Sequence, residues 1–216
     1  MTDAHTGAHA RLDPDVLVNY PPSRGVNAEL HMGAGAVLRS GTVIYGGSTI
    51  GTRLLTGHHV VVREECEIGD DVSIWSNTVV DYGCRIGHRV KIHSNCYVAQ
   101  YTEIGDDAFL APGVTIANDL YPGNRKSADH MAGPSIGVGA QIGVNVTILP
   151  FVRIGQYSLI GAGSVVTRDV PAGSVAFGNP ARVTGEVGAL RDVASRVAPE
   201  DSASRFRFNG AQNARR

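Results

Sequence analysis

Aliphatic residues recur at every sixth position through the middle of the chain. The period is unbroken in the set Val62, Ile68, Ile74, Val80, Ile86, Ile92, Val98, Ile104, Leu110 and Ile116. A small or β-branched residue follows most of them four places later, as Cys66, Val72 and Thr78 do. A helix of 3.6 residues per turn would spread this period over its whole surface, whereas a short strand followed by a turn satisfies it. The pattern therefore predicts a repeat of short β-strands.

A second period groups these hexads in threes. Glycines that directly follow the periodic position recur every eighteen residues, as Gly33, Gly51, Gly69, Gly87 and Gly105. Three hexads therefore make one coil with three strands and three corners, and we expect the glycine corner to need a positive φ. Stacked coils would pair as parallel strands about 4.8 Å apart and bury a column of Ile and Val. The sequence predicts an all-β parallel β-helix of about seven triangular coils.

The hexads also predict how the chain is organised. Residues 1–25 show no hexad register and are interpreted as an N-terminal lead-in. Residues 26–182 are assigned to the β-helix domain, which one protruding loop at 118–135 interrupts. The hexads resume at Ile136, so this loop adds fourteen residues to a coil, and repeat proteins carry such insertions on their working face. Residues 183–216 form a short C-terminal tail with near-helical spacing of apolar positions, namely Val187, Leu190, Val193 and Val197.

Charge and composition narrow the classes of partner. The 216 residues include 19 Lys and Arg and 20 Asp and Glu, and the net charge of -1 gives no indication of a nucleic-acid-binding surface. No apolar run approaches the roughly eighteen residues of a membrane span, and the N-terminal stretch lacks the features of a signal peptide. We therefore expect a cytoplasmic protein without nucleic-acid or membrane partners. Its three cysteines are expected to be thiols.

One corner of the predicted coil is a candidate acceptor site. Gln100 and Asn118 are eighteen residues apart, and so are Tyr101 and Asp119, so each pair should stack on adjacent coils. An amine or hydroxyl placed there would meet a carboxylate, two amides and a phenol. Asn and Asp at this point can also serve only to turn the chain. We favour a functional site, because the pair opens the one long loop.

Hexads of the form I-G-x-x-[ASTV]-x in eighteen-residue triplets resemble the left-handed parallel β-helix acyltransferases. The resemblance covers roughly residues 26–180 and implies a left-handed coil, and also a homotrimer whose sites lie between subunits. The stretch IGAGSVVTRDVPAGSVAFGNPARV resembles the acyl-CoA-binding C-terminal coils of that class. It implies acetyl-CoA as co-substrate, with candidate contacts from Gly143, Gly161, Ala162, Ser164, Arg168 and Arg182.

The stretch LAPGVTIANDLYPGNR resembles, more narrowly, the enzymes that N-acetylate 3-amino sugars on a nucleotide carrier. We assign Asn118 to orienting the amine and Asp119 to orienting it or relaying its proton, and the resemblance implies that the CoA sulfur can accept that proton. The candidate substrate contacts are Gln100, Tyr101, His93, Trp75, Tyr121 and Arg125. That subgroup commonly has an acidic residue where this chain has Gln100 and a glutamine where it has His93. These departures leave the base and the exact sugar open.

Histidines support two alternative hypotheses. His88 and His93 resemble two of the three zinc ligands in the γ-class carbonic anhydrases, which share this fold. A catalytic zinc takes three protein ligands, and the residues stacked with His93 would be Trp75 or Gly57, so we expect no metal. O-acetyl transfer to a small hydroxylated acceptor or an antibiotic would use a histidine base, for which His130 in the loop is the candidate. The favoured function remains acetyl-CoA-dependent N-acetyl transfer to a nucleotide-linked amino sugar.

Overall fold

The computed structural model describes residues 5–190, and short strands make up most of its regular structure. The strands are β1 His5–Thr6, β2 Arg11–Leu12, β3 Leu17–Tyr20, β4 His31–Met32, β5 Val37–Leu38, β6 Val43–Tyr45, β7 Thr49–Ile50, β8 Leu55–Thr56, β9 Val61–Val62, β10 Glu67–Ile68, β11 Ser73–Ile74, β12 Val79–Val80, β13 Arg85–Ile86, β14 Lys91–Ile92, β15 Tyr97–Val98, β16 Glu103–Ile104, β17 Phe109–Leu110, β18 Thr115–Ile116, β19 Ser135–Ile136, β20 Gln141–Ile142, β21 Thr147–Ile148, β22 Arg153–Ile154, β23 Leu159–Ile160, β24 Val165–Val166, β25 Ser174–Gly178 and β26 Ala181–Glu186. Two 3₁₀ turns, Ser127–Asp129 and Val187–Ala189, are the helical elements of this part of the chain. Neither approaches the length of a membrane-spanning helix.

Three sheets form the sides of a prism. The first sheet runs β1-β4-β7-β10-β13-β16-β19-β22, the second runs β2-β5-β8-β11-β14-β17-β20-β23-β25-β26, and the third runs β3-β6-β9-β12-β15-β18-β21-β24. Neighbouring strands pair in parallel except β25 and β26, and Ile68, Ile86 and Ile104 lie in register in the first sheet. The predicted fold class is confirmed: the chain is an all-β parallel β-helix of about eight coils, consistent with the left-handed class.

The β-helix begins closer to the N-terminus than the sequence analysis places it. Strands β1, β2 and β3 pair with β4, β5 and β6, so residues 5–20 form a coil rather than a lead-in. Thr6 pairs with Met32, which lies 26 residues further along instead of eighteen. The eight additional residues are not a multiple of six, so the inserted segment breaks the register and hides this coil from the periodicity.

The periodic aliphatic side chains fill the prism. Residues of all three sheets, such as Ile44, Ile74 and Ile86, are almost fully buried. Full burial of one such side chain stabilises the fold by about 1.5–3 kcal/mol, and the column continues over all the coils. Cys66 and Cys84 are free, buried thiols at the small inward positions, as expected. Hydrogen bonding with Cys84 and burial raise the pKa of the Cys66 thiol, which keeps it protonated.

The glycine corner has a different cause from the one expected. Gly33 and Gly69 are absent from the residues with positive φ, which instead include Gly35 and Asp71 two places later, at φ of 77° and 59°. A Cβ atom on Gly33 would lie 2.7 Å from the backbone carbon of Gly51 on the next coil. Glycine is therefore needed at this corner because the coils approach closely, and not because of its own backbone conformation.

The C-terminal end of the prism is closed by a hairpin. Strand β25 continues the second sheet in parallel with β23, and β26 returns antiparallel to β25. Residues 183–186 of the predicted tail therefore belong to a strand instead of a helix, followed by the 3₁₀ turn. The expected helical spacing at Val193 and Val197 lies outside the described residues. The antiparallel strand covers backbone groups that an open coil would leave unpaired.

Candidate active site

Polar side chains occupy the corner between the third and first sheets over four successive coils. Each of these residues stands one or two positions after the end of a third-sheet strand. Because each coil has eighteen residues, residues eighteen apart lie in one column. This set, called the polar corner below, consists of Arg63, Glu64, Asp81, Tyr82, Gln100 and Asn118. Asp81 and Glu64 are 6% and 0% exposed, which is unusual for carboxylates and requires partners for each of them.

A chain of hydrogen bonds runs along the polar corner. The Nδ2 of Asn118 donates to Oε1 of Gln100 at 2.6 Å, so the predicted stacking of these two residues is observed. The Nε2 of Gln100 in turn donates to Oδ2 of Asp81 at 2.5 Å. The two amides and the buried carboxylate therefore form one continuous network across three coils.

Asp81 is surrounded by donors. Besides Gln100, the hydroxyl of Tyr97 donates to Oδ2 at 2.7 Å, and the backbone N–H of Tyr82 donates to Oδ1 at 2.8 Å. The guanidinium of Arg63 lies 3.8 Å from Oδ1. Burial and the bond to Asp81 raise the pKa of Tyr97 to about 12, so its hydroxyl stays protonated and continues to donate.

A buried ion pair lies at the lower end of the polar corner. Arg63 donates to both carboxylate oxygens of Glu64, at 2.9 and 3.0 Å. Burial disfavours the charged carboxylate, yet the hydrogen bonds and the charge of Arg63 lower the pKa of Glu64 overall. The guanidinium also packs over the Tyr45 ring at 4.9 Å. These contacts fix the cation that faces Asp81.

The sequence analysis did not single out Arg63, Glu64, Asp81 or Tyr97. The signal that could have found Arg63 and Asp81 is the placement of charged residues directly after third-sheet strands, where other coils carry small residues such as Ala99. Asp81 reaches Gln100 across nineteen residues and Tyr97 across sixteen. Counting in steps of eighteen therefore does not pair these residues.

The protruding loop is anchored at the Asn118 end of the network. Ile104 pairs with Ile136 across 32 residues, fourteen more than one coil, as expected. The Nδ2 of Asn118 also contacts Sδ of Met131 at 3.1 Å, and its backbone oxygen accepts from Ala132 at 3.1 Å. Both ends of the loop therefore meet at Asn118.

Asp119 turns the chain into the loop and lines a cavity. Its Oδ1 accepts from the backbone N–H of Tyr121 at 2.8 Å, which is a turn-forming contact. The cavity beside it measures about 330 Å³. Its lining comprises Asp119, Leu120, Tyr121, Asn124, Lys126, Ser127, His130 and Phe151. The candidate proton relay and the rival histidine base therefore face the same space.

Tyr101 and Asp119 each make contacts other than the expected stacking with one another. Tyr101 packs edge-on against Tyr82, with ring centroids 5.4 Å apart. The carboxylate of Asp119 is used in the turn that begins the loop, where it accepts from Tyr121. Arg125 is exposed in the loop, and Tyr121 is 73% exposed.

The aromatic candidates lie on a different corner. Trp75 and His93 stack as predicted, with ring centroids 4.3 Å apart, and Phe109 packs against His93 at 4.8 Å. This corner joins the second and third sheets, at the opposite end of the third-sheet strands from Asn118. Burial and the nearby Lys91 lower the pKa of His93, which favours the neutral imidazole.

The two histidines of the zinc hypothesis are not brought together. His88 follows a first-sheet strand, whereas His93 follows a second-sheet strand, so they occupy different corners. The Nδ1 of His88 accepts from the backbone N–H of Asp70 at 3.0 Å. Among residues 5–190 there is no group of three or more His, Cys, Asp or Glu side chains placed to hold a metal ion.

Gly143 and Gly161, two of the residues expected to contact the acyl donor, continue the Trp75–His93 column, because each follows a second-sheet strand. A Cβ atom on Gly143 would lie 2.6 Å from the backbone nitrogen of Ala162, so close stacking of coils already requires glycine there. Ser164 is buried, donates to the Gly161 carbonyl at 2.6 Å and accepts from Gly178 at 3.1 Å. Its hydroxyl is therefore used inside the fold, contrary to the expected ligand contact.

The remaining donor candidates reach the surface. Arg168 and Ala162 are exposed. The guanidinium of Arg182 donates to the carbonyl of Ala181 at 2.9 Å and is exposed in the C-terminal hairpin. The side chains of these two arginines are therefore accessible to an anionic ligand.

The repeat matches a known sequence family. The family described as "Bacterial transferase hexapeptide (six repeats)" matches residues 83–118 and 133–168. The chain therefore contains hexapeptide repeats of this family in these two ranges, which make up about a third of its length. It is 55% identical over 49 residues to the dTDP-3-amino-3,6-dideoxy-alpha-D-galactopyranose 3-N-acetyltransferase of Aneurinibacillus thermoaerophilus, covering 23% of this chain and 26% of the relative.

A second curated relative carries a different activity. This chain is 43% identical over 82 residues to the galactoside O-acetyltransferase of Escherichia coli K12, covering 36% of this chain and 40% of that enzyme. The chain thus matches well under half the length of both relatives. Both relatives are named acetyltransferases, but they differ in the atom that receives the acetyl group.

Solved structures share the fold at low sequence identity. The UDP-N-acetylglucosamine acyltransferase of Bacteroides fragilis superposes with a TM-score of 0.62 at 21% identity, covering 82% of this chain and 73% of that one. The enzyme of the same name from Campylobacter jejuni superposes at 0.58 with 16% identity, covering 88% and 79%. This likeness shows the parallel β-helix alone.

Proposed function

We propose that the protein is an acetyl-CoA-dependent N-acetyltransferase acting on the amino group of a nucleotide-linked amino sugar, with a 3-amino-deoxy sugar as the expected acceptor. The observation that carries the proposal is the Asn118 side chain, whose amide is held by Gln100 next to Asp119 at the base of the loop. The 55% identity to a dTDP-3-amino-sugar N-acetyltransferase supports the acceptor class.

The chemistry asked of this site is modest. The neutral amine attacks the thioester carbonyl carbon, a C–N bond forms, the C–S bond breaks, and the proton lost by nitrogen goes to the leaving CoA sulfur. Asn118 orients the amine, and Asp119 orients it or relays the proton. Holding the two reactants in line provides much of the acceleration. Backbone N–H groups can stabilise the developing oxyanion.

The acetyl donor is assigned to the other corner of the same face. The glycine column of Gly143 and Gly161 lets a ligand approach the backbone there. Arg168, which follows third-sheet strand β24, and Arg182 in the C-terminal hairpin supply positive charge for phosphates. In a homotrimer, this corner of one subunit would meet the polar corner of its neighbour. Trp75, His93, Tyr121 and Arg125 would then contact the acceptor nucleotide and sugar. No metal takes part in this mechanism.

O-acetyl transfer is the second candidate function. His130 lines the same cavity as Asp119, so a histidine base is available beside the candidate acceptor position. The identity to a galactoside O-acetyltransferase favours the same class. The two functions differ in whether the acceptor atom is nitrogen or oxygen and in whether His130 is needed.

A paired substrate panel tests the proposal. Nucleotide-linked 3-amino sugars and their 3-hydroxy counterparts are each incubated with acetyl-CoA and the purified protein, and release of free CoA thiol is followed. The proposal predicts turnover of the amino members and at most slow turnover of the hydroxy members. Preferential acetylation of the hydroxy members would support the second candidate instead.

A further inference from the structure

We infer that Asp81 is a positioning residue that sets which way the side-chain amides of Gln100 and Asn118 are turned. As a result, Asn118 presents its amide oxygen, a hydrogen-bond acceptor, to the substrate. The catalytic consequence rests on the proposed function. The inference about direction rests only on the hydrogen bonds of Asp81, Gln100 and Asn118.

The direction is fixed because an ionised carboxylate can only accept. Asp81 receives the Tyr97 hydroxyl, the Tyr82 backbone N–H and the Gln100 amide, and Arg63 lies 3.8 Å away. With four donors converging on two buried oxygens, Gln100 has to turn its Nε2 towards Asp81. A Gln100 oxygen at that place would stand 2.5 Å from another acceptor.

The direction then passes to Asn118. Once Nε2 of Gln100 faces Asp81, its Oε1 faces Asn118 and accepts from Nδ2 at 2.6 Å. The second hydrogen on this nitrogen is directed to Met131 Sδ at 3.1 Å. Among the described residues no donor reaches Oδ1 of Asn118, so this oxygen is available to a ligand.

A hydrogen-bond acceptor at the position of the Asn118 oxygen suits an amine that acts as the nucleophile. The Asn118 oxygen takes one N–H of the neutral amine and leaves the nitrogen lone pair free to attack the thioester. An amide N–H in the same place would instead bind the lone pair and hold back the nucleophile. The polarity of Asn118, rather than its mere presence, therefore matters for transfer.

This arrangement also explains why position 100 carries an amide in this chain. A carboxylate there would face Asp81 at hydrogen-bond distance, and two like charges this close cannot both stay ionised. The negative charge that the resembling subgroup commonly has at position 100 is located one coil away here, on Asp81. Gln100 is uncharged, but it passes the orienting effect of the Asp81 charge on to Asn118.

Two substitutions reverse and then restore the direction. In Asp81→Asn, the Tyr82 N–H and Arg63 keep the amide oxygen on their side, so the new amide nitrogen faces Gln100. Gln100 then turns round, and Asn118 has to present its nitrogen to the substrate. Adding Gln100→Glu gives the amide at position 81 a carboxylate to donate to, and the second oxygen of that carboxylate again accepts from Asn118.

The experiment compares wild type, Asp81→Asn, Gln100→Glu and the double variant Asp81→Asn/Gln100→Glu as full-length protein. Steady-state kinetics use the best nucleotide-linked amino sugar. Asp107→Asn is the matched control, because this exposed carboxylate pairs with Arg89 at another corner. We expect each single variant of the pair to lose about 10- to 100-fold in kcat/KM, mostly in kcat, and the double variant to recover to within about fivefold of wild type. The control should be unchanged.

A second readout is independent of turnover. Solvent exchange of the Asn118 side-chain NH₂ group is followed by NMR, with its signals assigned by their loss in Asn118→Ala. We expect slow exchange in wild type and in the double variant, and fast exchange in Asp81→Asn. If the wild type acetylates no amine, the proposed function fails, and this exchange pattern alone decides the role of Asp81. Wild-type exchange in a folded Asp81→Asn overturns the inference. A folded double variant as impaired as the single variants overturns it too, even if Asp81→Asn does not fold.

Discussion

Replacing Glu64 by glutamine tests whether the buried ion pair holds the polar corner together. The side chain of Glu64 is 0% exposed and that of Arg63 is 27% exposed, with two hydrogen bonds of 2.9 and 3.0 Å between them. Glu64→Gln keeps the shape and one acceptor atom but removes the charge. The one carboxylate then left beside Arg63 is that of Asp81, at 3.8 Å.

The expected cost follows from these contacts. One charge-assisted hydrogen bond is lost, which is worth about 1.5–3 kcal/mol. Breaking a fully buried pair costs about 3–5 kcal/mol, but the partial exposure of Arg63 and its second counter-charge reduce that penalty. We therefore expect the free energy of unfolding to fall by about 2 kcal/mol. For a chain of this size, such a change lowers Tm by about 4–8 °C.

Thermal unfolding of Glu64→Gln and of Glu103→Gln at the same protein concentration measures the effect. Glu103 is the matched control, because its side chain is 59% exposed and its contact to Arg85 is 3.7 Å. An exposed pair of this kind is worth at most about 1 kcal/mol. Equal Tm shifts in the two variants would refute the reasoning.

The ion pair also predicts how the stability difference between wild type and Glu64→Gln changes with pH. The pKa of Glu64 is lowered in the folded protein, so its ionisation stabilises the fold above the ordinary glutamate pKa of about 4.3. This contribution is lost as pH falls through the lowered value. The difference in stability between wild type and Glu64→Gln should therefore be full at neutral pH and shrink in acid. A difference that does not change with pH would contradict the ion pair.

Three further predictions concern the loop and the coil stack. His130→Ala should leave kcat/KM for the amino sugar within about twofold of wild type, whereas a histidine base would account for about 10²–10⁴-fold. Asp119→Asn should retain a measurable rate with a modest rise in KM, and loss of that same factor would mean an obligatory side-chain base. Gly143→Ala should destabilise the fold by about 1–3 kcal/mol in thermal unfolding, because its Cβ would meet the Ala162 backbone at 2.6 Å. Gly188→Ala, with open space around it, is the control.

The parts of the fold that follow strict eighteen-residue counting could be predicted from the sequence. The stacking of Gln100 with Asn118 and of Trp75 with His93 follows directly from that count, and so does the fourteen-residue insertion before Ile136. The count works because each coil repeats the same three strands in register. It fails wherever residues are inserted, which is why the coil of residues 5–20 was not recognised.

Contacts that do not follow the count could not be predicted. Asp81 reaches sideways from its coil, so its partners lie sixteen and nineteen residues away. Asp119 should stack on Tyr101 by spacing, yet the turn at Tyr121 takes its carboxylate. The role of Gly33 was misread, because spacing shows where glycine recurs but not whether φ or close packing requires it.

The most direct test of the proposed site is kcat/KM of Asn118→Ala with a nucleotide-linked 3-amino sugar and acetyl-CoA, measured by thiol release. Loss of the orienting amide should raise the barrier by about 1–3 kcal/mol, the scale of a lost buried hydrogen bond, which is about 5- to 150-fold. The folded variant should show this loss while His130→Ala stays active. Wild-type kcat/KM in Asn118→Ala, with turnover abolished in His130→Ala, would contradict the assignment and place the acceptor elsewhere.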